Sequence, residues 1–239
     1  MASPTIVAET ASNSSSSSTT FTVNTGSPLS GEGVIIILSR DGGSGTVTWS
    51  DSFVELYDLN DDDGFSSGAA AYKQAGGSEP STITVTSSLS GEFAARCYRI
   101  SGHLDFSTQA PDVGTITSDG NVASHDPPSV NVTGGAADIL SIAALPVDTH
   151  NVTISTYPTS YINTGRTQSG TSGSQCQIAF ATRALSAVSS EDPAAFVLSA
   201  DRRAIPTTIL IQEAAAAGVT PEIVVPQYQI NIRHKGRYV

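Results

Sequence analysis

The chain has 239 residues, enough to bury a proper core in one large domain or two small ones. Only 14% of residues are charged, Lys and Arg number 11 against 22 Asp and Glu, and the net charge is −11. A protein that grips phosphates by releasing counterions needs the opposite balance, so the composition argues against nucleic acid as a partner.

Leu, Glu, Lys and Arg, the builders of long helices, are scarce, while Thr, Val and Ile suit a pleated, half-buried surface; the expected class is all-β. The start "MASPTIVAET" lacks the basic and apolar regions of a signal peptide. The longest aliphatic run, "VIIIL", is too short to cross a bilayer, so no membrane insertion is expected. "ASNSSSSSTT" (Ala11 to Thr20) reads as a polar connector, and residues 1–20 together as an N-terminal arm. "TFTVN" then alternates, and "GVIIILSRDGG" has the continuous apolar run of a strand buried on both faces, closed by a Gly-rich turn. "TVTWSDSFVELYDL" is one long strand or a pair broken near Ser50. After the acidic loop "DLNDDDG" come "AAAYKQ", the turn "AGGSEP", the one-wet-face strand "STITVTSS" and "GEFAARCYRISG".

The second half repeats this order. "PPSVNVTGG" answers "TTFTVNTG", "ADILSIAALPVD" answers "GVIIILSRDGG", and "NVTISTYPTSYINT" answers "TVTWSDSFVELYDL". "CQIAFATRALSAVSSEDPAAFVLSA" answers "AAAYKQ" to "TVTSS", and "RRAIPTTILIQE" answers "GEFAARCYRISG". The spacing predicts an internal duplication over 19–102 and 127–213, joined by a connector at 103–126. Two such halves packed together make one jelly-roll-like β-sandwich over 21–213; two small sandwiches in tandem are the alternative.

After Glu213 the texture changes to a 214–239 tail in which Gly218, Pro221 and Pro226 precede "YQINIRHKGRYV". Tyr228, Ile230 and Ile232 share one face, so this run is either the last strand of its own sandwich or an assembly strand for a neighbour's sheet edge. From Pro226 to Val239 there are three basic residues (Arg233, Lys235, Arg237) and no acid; taking that +3 from −11 leaves −14 on the rest. A basic tail on an acidic body fits an acidic partner, a second copy included, and equally a solvated terminus. Tyr228, Ile230, Ile232, Arg233, Lys235, Arg237 and Tyr238 are the candidate assembly residues.

Motifs of chemistry are sparse. Asp58, Asn60 and Asp62 have the alternating spacing of a calcium loop, but Asp63 stands where that loop needs Gly and Ala69 where it needs Glu; they are a weak calcium candidate, and no cofactor is expected. His103, His125, His150 and His234 form no paired motif, and His125 beside Asp126 lacks a nucleophile elbow to serve. "GGSGT" has no following Lys, and Glu191 with Asp192 sits in a turn. Cys97 and Cys176 are expected as buried free thiols. Trp49, Tyr57, Tyr157 and Tyr161 occupy equivalent places in the two repeats, either as core or as a platform for glycan. No catalytic site, and so no enzyme, is expected.

The "YK…GSEP" turn, the "YRISG" strand end and the "SSEDP" echo, within a match over Thr5 to Glu213, resemble the β-sandwich structural proteins of tailed bacteriophages. The resemblance implies a virion component assembled in the host cytoplasm: a tail-tip or fibre-associated protein, or a capsid decoration protein. Its implied partners are other virion proteins and copies of itself, with a host-surface carbohydrate as a further ligand class.

Overall fold

The computed structural model describes residues 3–61, 64–115, 119–149, 151–170 and 175–214. They form eighteen strands and no helix, and every strand pairing is antiparallel. One five-stranded sheet is ordered β1 (Thr5–Asn13), β8 (Phe93–Ser101), β3 (Gly33–Asp41), β6 (Ser66–Gln74), β5 (Val54–Asn60). A second is ordered β9 (Asp112–Thr115), β18 (Thr207–Gln212), β12 (Ala137–Val147), β15 (Gln177–Val188), β14 (Ile162–Gln168). Each carries a three-stranded sheet: β2 (Ser18–Asn24), β7 (Thr82–Gly91) and β4 (Val47–Trp49) on the first, β10 (Val122–His125), β17 (Phe196–Arg202) and β13 (Ile154–Thr156) on the second. A short ladder of β11 (Val130–Asn131) with β16 (Ser190–Glu191) closes one side of the second lobe.

The sheets stack in four layers, because both large sheets are apolar on both faces. In β3 the even positions Val34, Ile36 and Leu38 join Phe21, Val85 and Phe93 under the small sheet. The odd positions Ile35 and Ile37 point the other way and meet Leu140, Ile142, Ile178 and Ile209 of the second lobe. In β12 the same alternation sends Ala143, Leu145 and Val147 to their own small sheet, beside Phe196 and Leu198. Period-two geometry thus turns one apolar run into two interfaces. The outcome is neither a single two-sheet sandwich nor two separate ones: each half has its own sandwich core, and the two share a third, between the large sheets.

The halves follow one winding. β1-β8-β3-β6-β5 corresponds strand for strand to β9-β18-β12-β15-β14, and β2-β7-β4 to β10-β17-β13. Two boundaries differ from the sequence expectation. Residues 103–126 are more than a connector, since they contain β9 and β10; the counterpart of β2 is β10, not the stretch from Pro127. Residues 1–20 are not a free arm either: β1 is the edge strand beside β8, tied by the Glu9–Arg96 ion pair. Its side chains alternate only between exposed and half-buried, with Ile6 against the shared core and Val7 exposed, so it carries little apolar pattern.

Polar bonds fasten the lobes at the rim of the shared core. Gly170 N donates to Ser14 O at 2.7 Å, Ser169 Oγ to Glu92 Oε2 at 2.9 Å, and Asn13 Nδ2 to Gln168 O at 2.9 Å.

Candidate functional surfaces and the buried polar centre

The acidic loop after β5 is organised around an arginine. Arg40, at the end of β3, is 1% exposed, and its guanidinium donates to Gly43 O (2.9 Å), Gly45 O (3.0 Å), Ser67 Oγ (2.9 Å), Asn60 Oδ1 (3.5 Å) and Ser87 Oγ. The Gly-rich turn is therefore a carbonyl cradle for a cation the chain supplies itself. Asn60 Oδ1 also accepts from Ser67 Oγ at 2.6 Å, and Asp58 Oδ2 accepts Val47 N at 2.7 Å. Burial pushes the Asp58 carboxyl above its ordinary range, while the Val47 amide and the Arg40 charge pull it back. Of the calcium candidates, Asp58 Oδ2 and Asn60 Oδ1 therefore already have partners within the protein, and Asp62 lies outside the described residues. Among the described residues, no three or more His, Cys, Asp and Glu side chains converge as a metal site. The missed signal was one Arg ending an otherwise apolar strand.

The four aromatic candidates separate. Tyr57 is 7% exposed and lies in the shared core; Tyr161 is 8% exposed, with its hydroxyl 2.8 Å from Ser141 Oγ and donating to Glu191 Oε1 at 3.0 Å. Neither presents a ring face to a sugar. Trp49 is half-buried against the first lobe's core, and Tyr157 against the second's, edge-on to Phe196. They belong to different sandwiches and make no common platform.

The histidines also separate. His103 is buried with Nε2 2.9 Å from Gln74 Oε1 and its ring 4.4 Å from that of Phe106. Burial lowers its pKa. His125 is buried with Nδ1 2.7 Å from Asp119 Oδ2, not paired with the neighbouring Asp126. Glu191 accepts from Tyr161 and from Arg183 (3.3 Å), a structural use. Cys97 and Cys176 are free and buried, with both thiols pushed up to about 12 by burial. His150 and the candidates Tyr228, Ile230, Ile232, Arg233, Lys235, Arg237 and Tyr238 lie outside the described residues.

Two surface features were not legible in the sequence. The first is a cleft of about 390 Å³ walled by Val54, Tyr72 and Phe106, with Lys73, Gln74 and Ser107 as its polar lining. It opens beside the corner where the described chain ends: Ala214 N donates to Gly102 O at 2.8 Å, and Gln74 Oε1 accepts Phe106 N at 3.0 Å. The second is an ionised joint at the opposite end of the large sheets. There Asp61 Oδ2 lies 3.8 Å from Arg203 Nε, whose guanidinium sits over the Phe65 ring at 5.4 Å.

Compared with family models, with curated proteins and with solved structures, the chain matches none. The class defined by the fold is an all-β protein of stacked antiparallel sandwiches.

Proposed function

We propose that this protein is a non-enzymatic structural component of a tailed-bacteriophage particle, placed at the tail tip or fibre and assembled through its C-terminal segment. One observation carries the reading. The four-layer block buries both faces of both large sheets, which makes it a stiff body, and the chain leaves that block from a clamped corner at Ala214 toward a basic end. A stiff body with a terminal segment of opposite charge suits a part that is held in place by its neighbours. The sequence resemblance to phage β-sandwich proteins points to the same setting.

The test is the copy number in purified particles of the encoding phage, relative to the major capsid subunit, by quantitative mass spectrometry. A small symmetric number per particle supports the tail placement. Near-equal abundance moves the protein to the capsid surface as a decoration protein, and absence from the particle overturns the reading.

A further inference from the structure

Strand β5 is the open edge of the first large sheet: it pairs with β6 on one side and with nothing on the other among the described residues. An unpaired edge is a template for another strand unless it is blunted. Here a register irregularity between Glu55 and Tyr57 interrupts the edge and sets Val54 and Glu55 apart from the rest of the strand. Val54 is 50% exposed, although it is an aliphatic residue in a sheet. It lines the 390 Å³ cleft beside Tyr72, its cross-strand partner on β6, and Phe106.

The rim of that cleft is acidic. Asp51 lies exposed three residues before Val54, and exposed Asp105 accepts from Ser107 N (2.8 Å) and Ser107 Oγ (2.7 Å), whereas Glu55 turns to the other face, where its Oε2 accepts Trp49 Nε1 at 3.3 Å. The one cation in the lining, Lys73, is already held by Glu79 at 2.6 Å. The site therefore asks for a short strand with apolar residues on one face and positive charge at its end. The chain contains such a segment: Tyr228, Ile230 and Ile232 alternate, and Arg233, Lys235 and Arg237 follow. The thirteen residues from Ala215 to Gln227 give a reach of at most roughly 43 Å.

We propose that Tyr228–Ile232 of a neighbouring copy adds as a sixth strand on the β5 edge, with its apolar face toward the Val54–Tyr72–Phe106 cleft and its basic end against Asp51 and Asp105. The proposal rests on the assembly reading above and names the surface that the tail engages. Main-chain bonds along the edge give affinity, and the cleft and the acidic rim set register and direction.

The test uses full-length chains. Because Cys97 and Cys176 are buried, thiols introduced at exposed positions react alone. Val54→Cys in one preparation and Ile230→Cys in another are mixed and oxidised with diamide. The expected result is a disulfide-linked heterodimer, and Val54→Lys should weaken self-association by about tenfold, as a Lys blunts an edge. A mixture that stays monomeric overturns the proposal, as does a link that forms only within one chain carrying both substitutions. A separate measurement distinguishes this failure from failure of the assembly reading. If deleting 227–239 abolishes incorporation into particles while the mixture fails to cross-link, the tail assembles elsewhere and only the β5 site is lost. If the deletion leaves incorporation intact, the assembly reading itself falls.

Discussion

The hydroxyls of Tyr57 and Thr207 lie 3.1 Å apart, one from each large sheet, inside the core that the two lobes share. This pair makes a point about cooperativity. A side chain that completes one lobe by packing on the other leaves neither lobe with a finished surface of its own. Tyr57→Phe removes one bond and leaves Thr207 the Ile205 carbonyl at 3.3 Å as an acceptor, so its cost is about 0.5–1.5 kcal/mol. Tyr57→Ala also opens a cavity and costs about 3–5 kcal/mol. In both variants, urea unfolding followed by Trp49 fluorescence and by circular dichroism should give one coincident transition. Separate midpoints for the two probes would show that the lobes unfold independently.

Gly68 fixes how closely the sheets approach. A Cβ at that position would lie 2.9 Å from Pro146 Cγ and 3.1 Å from Pro146 Cβ, across the same junction. The proline ring has no rotamer by which to withdraw, so the backbones must separate. Gly68→Ala is expected to cost about 1–3 kcal/mol, the usual penalty of overpacking. Gly77, which has open space around it, is the control: Gly77→Ala should leave the denaturation midpoint unchanged.

How far the fold was legible follows from where the chain carries a pattern. "VIIIL" announced a strand buried on both faces, and β3 is that strand, since its alternate residues feed two cores. Part of the matching order of elements was readable because apolar runs recur, but its first pair was not: β2 is answered by β10 and not by the stretch from Pro127. β1 was not readable, because Ile6 and Val7 are adjacent rather than alternating and the polar run that follows looks like a connector until β8 pairs with it. The stacking of the halves was equally hidden: alternation says which residues share a face, not which partner covers it. Arg40 illustrates the limit for sites. Its charge suggested solvent, yet five oxygens from four separate stretches of chain converge on it.

The Arg40 cradle yields a prediction about both stability and metal. Removing a buried cation leaves the Asp58 carboxylate and the Gly43 and Gly45 carbonyls without their counterpart, so Arg40→Met should cost about 3–5 kcal/mol. Because Asp58 Oδ2 and Asn60 Oδ1 already accept bonds from the protein, added calcium should leave the melting temperature of the native protein unchanged. A rise in melting temperature with calcium would show that the masking of Asp58 and Asn60 is incomplete.

Thiol chemistry gives a direct reading of the core. Cys97 is 1% exposed and Cys176 is 0% exposed, where its Sγ lies 3.3 Å from Ser39 O and 3.4 Å from Glu92 O, both in the other lobe. Thiolate is the reactive form, and burial holds both thiols near 12. With Ellman's reagent at pH 8 the folded protein should show no reactive thiol, and the unfolded chain two. Reaction of Cys176 at a rate faster than global unfolding would mean that the shared core opens while each lobe stays folded.

Asp148 sets the sign of the pH dependence at the ionised joint. Burial raises its carboxyl to about 6; Asp61 and Asp41 add to the rise, and Arg202 and Arg203 oppose it. Its Oδ1 is buried with no hydrogen-bond partner among the described residues. A carboxyl whose pKa is higher in the folded state favours folding when protonated. Its contribution is therefore complete below the unfolded value near 4 and disappears as the pH rises through about 6. A rise of that size corresponds to at most about 3 kcal/mol, which partial solvent contact reduces to about 1 kcal/mol. Asp148→Asn keeps the shape and removes the titration. The variant should match the native protein at pH 4 and exceed its stability by about 1 kcal/mol at pH 8, measured by urea unfolding across that range. A variant less stable than the native protein at pH 8 would mean that Asp148 works there as a bound carboxylate, held by Arg202 and Arg203.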